Sequence, residues 1–433
     1  MKPDFLLGIG KSIITPKVGC NLAGYRPDVI STAVNDNLTA TVFYFKEGDA
    51  DALLVSVTIC TISTDVSNML LDLIERECGI EKSRCILHAT HTHSGPNLMD
   101  YYGWGELDNE YLENILIPRL ISAVNEAKSN TRAVKMAVKT GESLVGINRR
   151  QLTVENEIML GQNPWGVFNP QMTVIAFEDF DGTPVANIVH YGAHGTAAGT
   201  NTEISRDWSG VMTDVLEEES GAITAFINGA EGDVGPRLTN GKTKSLGDIK
   251  AAMRHGAWAA QDAVRIYNEK AAFTAPNLNV YYGKVSIPLD KRIPLDTAKE
   301  EHKKYIGHTS NLHGRLEQYY SSLIKSYDNG YEELPCYEIP QTIIKLGDLA
   351  IVATPYELFS EIALRIEKEC KIPNVLILSN SNGSEGYFAT ESEICRGGYE
   401  INMFLTKMLQ PPVKNADWHF ITQTLKNLEK LEK

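Results

Sequence analysis

Three stretches of this chain share one layout, and that layout limits the fold more than any other feature. Each is a β-rich run, a tight turn and a second β-rich run: VFYFKEGDADALLVSVTI, VIAFEDFDGTPVANIVHYGAH and IIKLGDLAIVATPYE. Their turns, Gly48-Asp49, Asp181-Gly182 and Gly347-Asp348, carry hairpin chemistry. Hairpins join antiparallel strands, whereas a wholly parallel sheet needs a crossover after every strand. Residues 5–14, 39–45, 52–60, 84–93 and 134–140 read as strands. Between them lie helical patterns. Val66, Met69, Leu70, Leu73 and Ile74 form one apolar stripe over about 63–78, with Gly79 placed as a C-terminal cap. Further helices are expected near 111–127, 250–267 and 297–326, and at the C-terminus, where Ile421, Leu425 and Leu428 keep helical spacing. The segment 250–267 is rich in Ala and Gly and reads as a buried structural helix. The expected fold is mixed α/β (α+β): a large single domain over residues 1–433, with mixed β-sheets built from hairpins and flanked by helices.

Charge and composition exclude several functions. Lys and Arg number 41 and Asp and Glu 55, a formal net charge of −14 in 433 residues. Nucleic-acid binding needs a basic face, so it is excluded, and an anionic membrane surface is disfavoured. No run approaches the roughly 18 to 20 apolar residues of a membrane-crossing helix. The opening MKPDFLLGIGKSIITP contains Asp4, and its apolar run is too short for an export signal. The cysteines (Cys20, Cys60, Cys78, Cys85, Cys336, Cys370 and Cys395) are odd in number with no CxxC pair. A disulfide framework and a thiolate zinc knuckle are therefore not expected, and the expected compartment is the cytoplasm.

The histidines cluster. His88-Ala-Thr-His91-Thr-His93-Ser-Gly-Pro closes the strand expected over 84–93. Alternation along a strand puts His91 and His93 on one face and His88 on the other. Two imidazoles at a strand end can begin a zinc site, and equally can be core histidines held by hydrogen bonds. His190-Tyr-Gly-Ala-His194-Gly-Thr closes a second apolar run. His194 precedes a flexible turn, whereas His190 lies inside the strand and reads as structural. Other histidine motifs fit poorly. An HxHxDH site lacks its Asp and His here, HExxH is absent, and the hairpins oppose a barrel of eight βα units. Asp207 and Asp233, in Gly-rich turns, are placed either to orient a histidine or to bond local backbone.

The run ATHTHSGPN, Ala89 to Asn97, resembles the HTH motif of the neutral/alkaline, non-lysosomal ceramidases. The resemblance continues, in family order, through GIGKSIITP…LAGY, Ile147-Asn-Arg-Arg, His194-Gly-Thr and Ile204-Ser-Arg-Asp207. It extends to Asn228-Gly-Ala-Glu-Gly-Asp-Val-Gly-Pro236, Thr354-Pro-Tyr-Glu357, and Tyr387-Phe-Ala-Thr…Gly-Gly-Tyr399-Glu. The family's secreted members carry a further immunoglobulin-like domain, which this chain is too short to include.

Carried over position by position, the resemblance implies a Zn2+ ion held by His91, His194, Glu357 and Tyr387. It implies His93 as an acid/base or substrate-orienting group, with Arg149 and Tyr399 lining the same site. Gly24 matches a glycine whose backbone lines the family's pocket. Gly235 stands where the ceramidases carry a serine, so a serine nucleophile is excluded there, while attack by zinc-activated water needs no such hydroxyl. The expectation is a zinc-dependent hydrolase of a linear amide in a small soluble N-acyl substrate. Two other functions stay open: a zinc-dependent lyase or isomerase on a hydroxylated substrate, and a non-catalytic binding protein of the same fold.

Overall fold

A computed structural model describes residues 5–100, 104–237, 248–269, 271–308 and 311–432; Asp4 lies outside them. The main sheet has eight strands, in the order Ile223–Asn228, Pro184–Tyr191, Gln171–Asp179, Arg132–Glu142, Phe5–Ile13, Thr39–Glu47, Ala50–Val57, Cys85–Ala89. Neighbours are antiparallel except the outermost pair at each edge, which is parallel. A second sheet runs Leu278–Pro288, Cys336–Leu346, Leu349–Ala353, Asn374–Leu378, and its last pair is also parallel. All three expected hairpins form, joining Thr39–Glu47 to Ala50–Val57, Gln171–Asp179 to Pro184–Tyr191, and Cys336–Leu346 to Leu349–Ala353. The fold is mixed α/β, as its alternation of hairpins and helices requires.

Period-two patterning sorts the strand side chains into layers. Phe43, Phe45 and Leu54 point into a core shared with Ile351 and Leu349 of the second sheet, while Val42, Tyr44, Leu53 and Val55 point the other way. There the helices Thr64–Cys78 and Ile117–Ser129 cover them through Leu70, Ile74, Leu120 and Val124. The outer face of the second sheet is covered by Ser360–Glu369 and Ala416–Leu428. The order of layers is thus helix, sheet, sheet, helix. Ser63 caps the first helix by accepting from the Val66 amide, and Gly79 ends it in the left-handed conformation. The Ala-rich helix Ile249–Asn268 buries one face only. Ala252, Gly256, Ala259 and Ala263 are buried, as expected of a structural helix, whereas Trp258 on the opposite face is exposed. Its small residues permit close approach: a Cβ at Gly256 would come within 2.5 Å of the Trp208 carbonyl oxygen on helix Asp207–Ser220.

The main sheet curls until its two edge strands meet. His88 fastens them: its Nε2 accepts from the Asn228 amide at 2.8 Å, and its Nδ1 donates to the Ser379 carbonyl at 3.0 Å. One imidazole therefore ties strand ends from both edges of the main sheet to the second sheet. It is fully buried.

Candidate metal centre

The ends of these strands converge on one cavity. The strand leading to the HTH residues stops at Ala89, short of the expected 84–93. The two-residue alternation therefore does not bring His91 and His93 together, and that reasoning is corrected. His91 instead adopts φ +69°, the left-handed region, which costs a non-glycine residue about 1–2 kcal/mol. The turn is held by Thr90 and His91 amides donating to the Val57 and Ile59 carbonyls, at 3.0 and 2.9 Å. Thr92 pairs with Gly195, and its hydroxyl donates to the Ser205 carbonyl at 2.7 Å, docking the HTH segment against the His194 turn. Glu357 and Tyr387 are direct register partners in the short parallel pair Glu357–Leu358 and Tyr387–Phe388.

The result is a tight buried cluster. Glu357 Oε2 lies 3.1 Å from His194 Nε2 and 3.6 Å from His91 Nε2, and His93 Nε2 lies 3.2 Å from His91 Nε2. The Tyr387 ring stacks parallel to His194 with centroids 6.5 Å apart, and its hydroxyl accepts from Arg149 Nη2 at 3.0 Å. Buried His194 Nε2 and Glu357 Oε2 each lack a hydrogen-bond partner. Two orphaned buried atoms aimed at one point are costly unless something binds both. Two imidazole nitrogens and a carboxylate form a donor set that suits zinc. On that observation the residues fit a divalent ion, and the Tyr387 phenol, the fourth group the resemblance implies, lines the same cavity.

Electrostatics agree. Burial pushes all three imidazoles below their ordinary pKa, His194 to about 3, and the neutral ring is the form that ligates. Burial alone would raise the Glu357 carboxyl, but His91, His194 and Arg149 around it hold it well below the usual range. Burial and then Glu357 push the phenols up, Tyr387 strongly and Tyr399 to about 12, so Tyr399 remains a hydrogen-bond donor at neutral pH. Burial works against the Arg149 charge, yet Tyr387, Glu400 and Glu357 together raise it.

All nine candidate residues line one cavity of about 300 Å3. Gly24 has φ +101°, and a Cβ there would sit 2.1 Å from His93 Nδ1, so this glycine clears the space the His93 ring occupies. Gly235 and Arg149 are brought together by the ladder pairing Val234–Pro236 with Gly146–Asn148.

Of the two roles open to Asp207 and Asp233, the structure shows backbone bonding rather than histidine orientation. Asp207 accepts from the backbone amides of Ala197, Ala198 and Trp208, and Asp233 from Ser360 and Asn148. Backbone carbonyls orient the imidazoles instead. His91 Nδ1 donates to Cys60 O at 2.9 Å, and His194 Nδ1 lies 2.8 Å from Glu231 O. His190 is structural, its Nε2 lying 3.5 Å from the Ile377 carbonyl.

Several site residues escaped the sequence reading. Tyr25 packs beside the His93 ring at 5.0 Å, and Trp104, Leu160 and Leu312 form apolar walls. Glu400 accepts from Arg149 Nε at 2.9 Å and from Arg150 Nη1 at 2.7 Å. Tyr25 and Glu400 stood within the quoted motifs, but nothing in the chain order marks their partners.

Comparison with known proteins gives the same direction. Residues 5–259 match the family described as neutral/alkaline non-lysosomal ceramidase, N-terminal. Over 268 residues the chain is 28% identical to neutral ceramidase A of Dictyostelium discoideum, covering 55% of this chain and 37% of that protein. Over 256 residues it is 25% identical to the neutral ceramidase of Pseudomonas aeruginosa, covering 54% and 37%. The matched stretch thus spans little more than a third of those relatives. The crystal structure of the Pseudomonas aeruginosa neutral ceramidase superposes with a TM-score of 0.76 at 17% identity, over 100% of this chain and 75% of that one, which shows a shared fold.

Proposed function

Because the chain belongs to the neutral/alkaline non-lysosomal ceramidase family, we propose that residues 1–433 act as one catalytic unit, a zinc-dependent hydrolase of a linear amide. The observation that carries this reading is the pair of orphaned buried atoms, His194 Nε2 and Glu357 Oε2, converging with His91 Nε2. His91, His194, Glu357 and Tyr387 would hold the ion. Bound zinc supplies Lewis acidity and makes water nucleophilic near neutral pH.

The chain's own groups do the rest. His93, with its Nδ1 lacking a hydrogen-bond partner, carries the proton to the departing amine. Arg149 and Tyr399 donate to the oxygen that gains charge, each such donor being worth about 3 to 4 kcal/mol. Arg149 is already aimed, held by Glu400 and Tyr387. Gly24 and Gly235 line the cavity that would take the substrate. The polar centre is walled by Trp104, Leu160 and Leu312, which suits an amide with a short apolar acyl arm, such as a short-chain ceramide or another N-acyl amine. We further propose residence in the cytoplasm, whose reducing conditions suit seven free cysteines.

The test is metal analysis and amine release on a panel of short N-acyl substrates, with wild type and His91→Ala. The expected result is one zinc per wild-type chain, turnover of at least one amide, and loss of both in the variant. Stoichiometric zinc in His91→Ala would refute the ligand assignment. A zinc-loaded wild type that cleaves no amide would refute the reaction.

A further inference from the structure

A second cavity lies behind the metal centre and shares no lining residue with it. Tyr356 and Glu357 are consecutive yet line different cavities, so one short segment is the partition between them. The second cavity holds about 450 Å3, within the roughly 300–1,000 Å3 range of small-molecule sites. It opens between helix Thr64–Cys78 and strand Cys336–Leu346. Tyr282, Tyr337 and Tyr356 give it aromatic walls. Lys407 Nζ stands 4.9 Å over the Tyr356 ring, which leaves the rings of Tyr337 and the 49% exposed Tyr282 to face a ligand.

Four charged side chains line this cavity, and each already has its opposite. Lys407 Nζ pairs with Glu385 Oε2, Lys82 with Asp72 at 2.7 Å, and Glu338 with Lys284 at 2.5 Å. An ionic ligand would therefore meet no uncompensated countercharge. What remains is hydrogen-bonding capacity. The Lys407 ammonium has three N–H donors, and Glu385 takes one. The Glu385 carboxylate offers about four lone-pair sites, of which Lys407 and the Thr64 hydroxyl use two. The Tyr337 and Tyr356 hydroxyls lie 3.2 Å apart, a bond that uses one of their two protons. An ion pair withdrawn from water is costly unless further hydrogen bonds satisfy its remaining protons and lone pairs. Adjacent hydroxyl groups do both at once, accepting from the ammonium and donating to the carboxylate. A ring that carries such hydroxyls on its edge and C–H bonds on its face also packs against an aromatic wall.

We propose that this cavity is a binding site for a neutral sugar, whose ring packs on Tyr282 and whose adjacent hydroxyls bridge Glu385 and Lys407. Saturation-transfer NMR titrations of metal-stripped protein test it without the catalytic ion. The probes are glucose, galactose, mannose, N-acetylglucosamine and cellobiose, with cyclohexanol as the ring-only control and glucuronate as the charged one. At least one neutral sugar should bind, and more tightly than either control. Glu385→Ala should weaken that sugar by about 10-fold or more, as loss of hydrogen bonds to a charged group, and turn the preference toward glucuronate by freeing Lys407. Tyr282→Ala should weaken it by at least about 3-fold. His93→Ala, in the other cavity, should leave it unchanged. Binding of none of the five sugars would overturn the proposal, as would a control that binds wild type as tightly, or unchanged affinity in either Glu385→Ala or Tyr282→Ala. Loss of binding in His93→Ala would place the sugar in the catalytic cavity and overturn it equally. Should Glu385→Ala not fold, Tyr282→Ala, at a half-exposed position, decides alone.

Discussion

Glu400 sits between two guanidinium groups, and removing it should damage the protein in a measurable order. Its carboxylate is buried and accepts from Arg149 at 2.9 Å and Arg150 at 2.7 Å. Deleting one partner of a buried charge pair costs about 3–5 kcal/mol, because the remaining charge is left uncompensated. The two arginines are not equally exposed to that loss. Arg150 keeps Glu393 at 2.8 Å and the Gly397 carbonyl at 2.6 Å, whereas Arg149 keeps the Tyr387 hydroxyl at 3.0 Å. The cost of Glu400→Ala should therefore fall near the lower end, about 3 kcal/mol. Glu400→Gln keeps one acceptor oxygen and should cost about half that, near the value of one hydrogen bond to a charged group, roughly 1.5 kcal/mol. Guanidinium denaturation of metal-stripped protein gives both numbers, and amide hydrolysis by the zinc-loaded forms should fall in the same order as Arg149 loses its aim. A Glu400→Ala midpoint equivalent to less than about 1 kcal/mol would mean that water or rearrangement compensates Arg149. The claim that Glu400 fixes this arginine would then be wrong.

Other perturbations separate the parts of the site. Gly24→Ala puts a methyl group 2.1 Å from His93 Nδ1 at φ +101°, so turnover should fall by about 100-fold or more while zinc content holds if, as proposed, His93 is not a ligand. A parallel loss of zinc would show that His93 supports the metal directly. Glu357→Gln should lower zinc affinity by at least about 10-fold, read by chelator competition, because the centre loses its only assigned carboxylate; unchanged affinity refutes that assignment. The Glu367 carboxyl, raised to about 7 by burial against the opposing bond from Asn169, binds a proton more tightly folded than unfolded. Its ionisation therefore costs stability as pH rises from about 4.5 to 7, and Glu367→Gln should flatten the decline of Tm across that window. A wild-type slope in the variant would remove Glu367 as its cause.

The sequence made some of this visible and hid the rest for physical reasons. Hairpins such as Thr39–Glu47 with Ala50–Val57 are local, and their turn residues and alternation announce them. The cap at Gly79 is local too. The candidate ligand histidines are marked by motif order and not by strand alternation, because the chain leaves the sheet at Ala89 and twists through a left-handed residue at His91. Residue type and neighbourhood left Asp207 and Asp233 open between orienting a histidine and bonding backbone; the imidazoles are held by carbonyls of Cys60 and Glu231, which carry no sequence signal. Glu400 meets Arg149 across 251 positions, a distance at which only the folded topology decides contact.

The layered arrangement has one last consequence. His91 and His194 follow strands of the eight-stranded sheet, whereas Glu357 follows a strand of the four-stranded one and Tyr387 lies beyond it. An ion gripped by all four would act as a rivet through both halves of the polypeptide. Occupancy and cohesion would then be thermodynamically linked, each added decade of free ion above its dissociation constant contributing about 1.4 kcal/mol to holding the halves together.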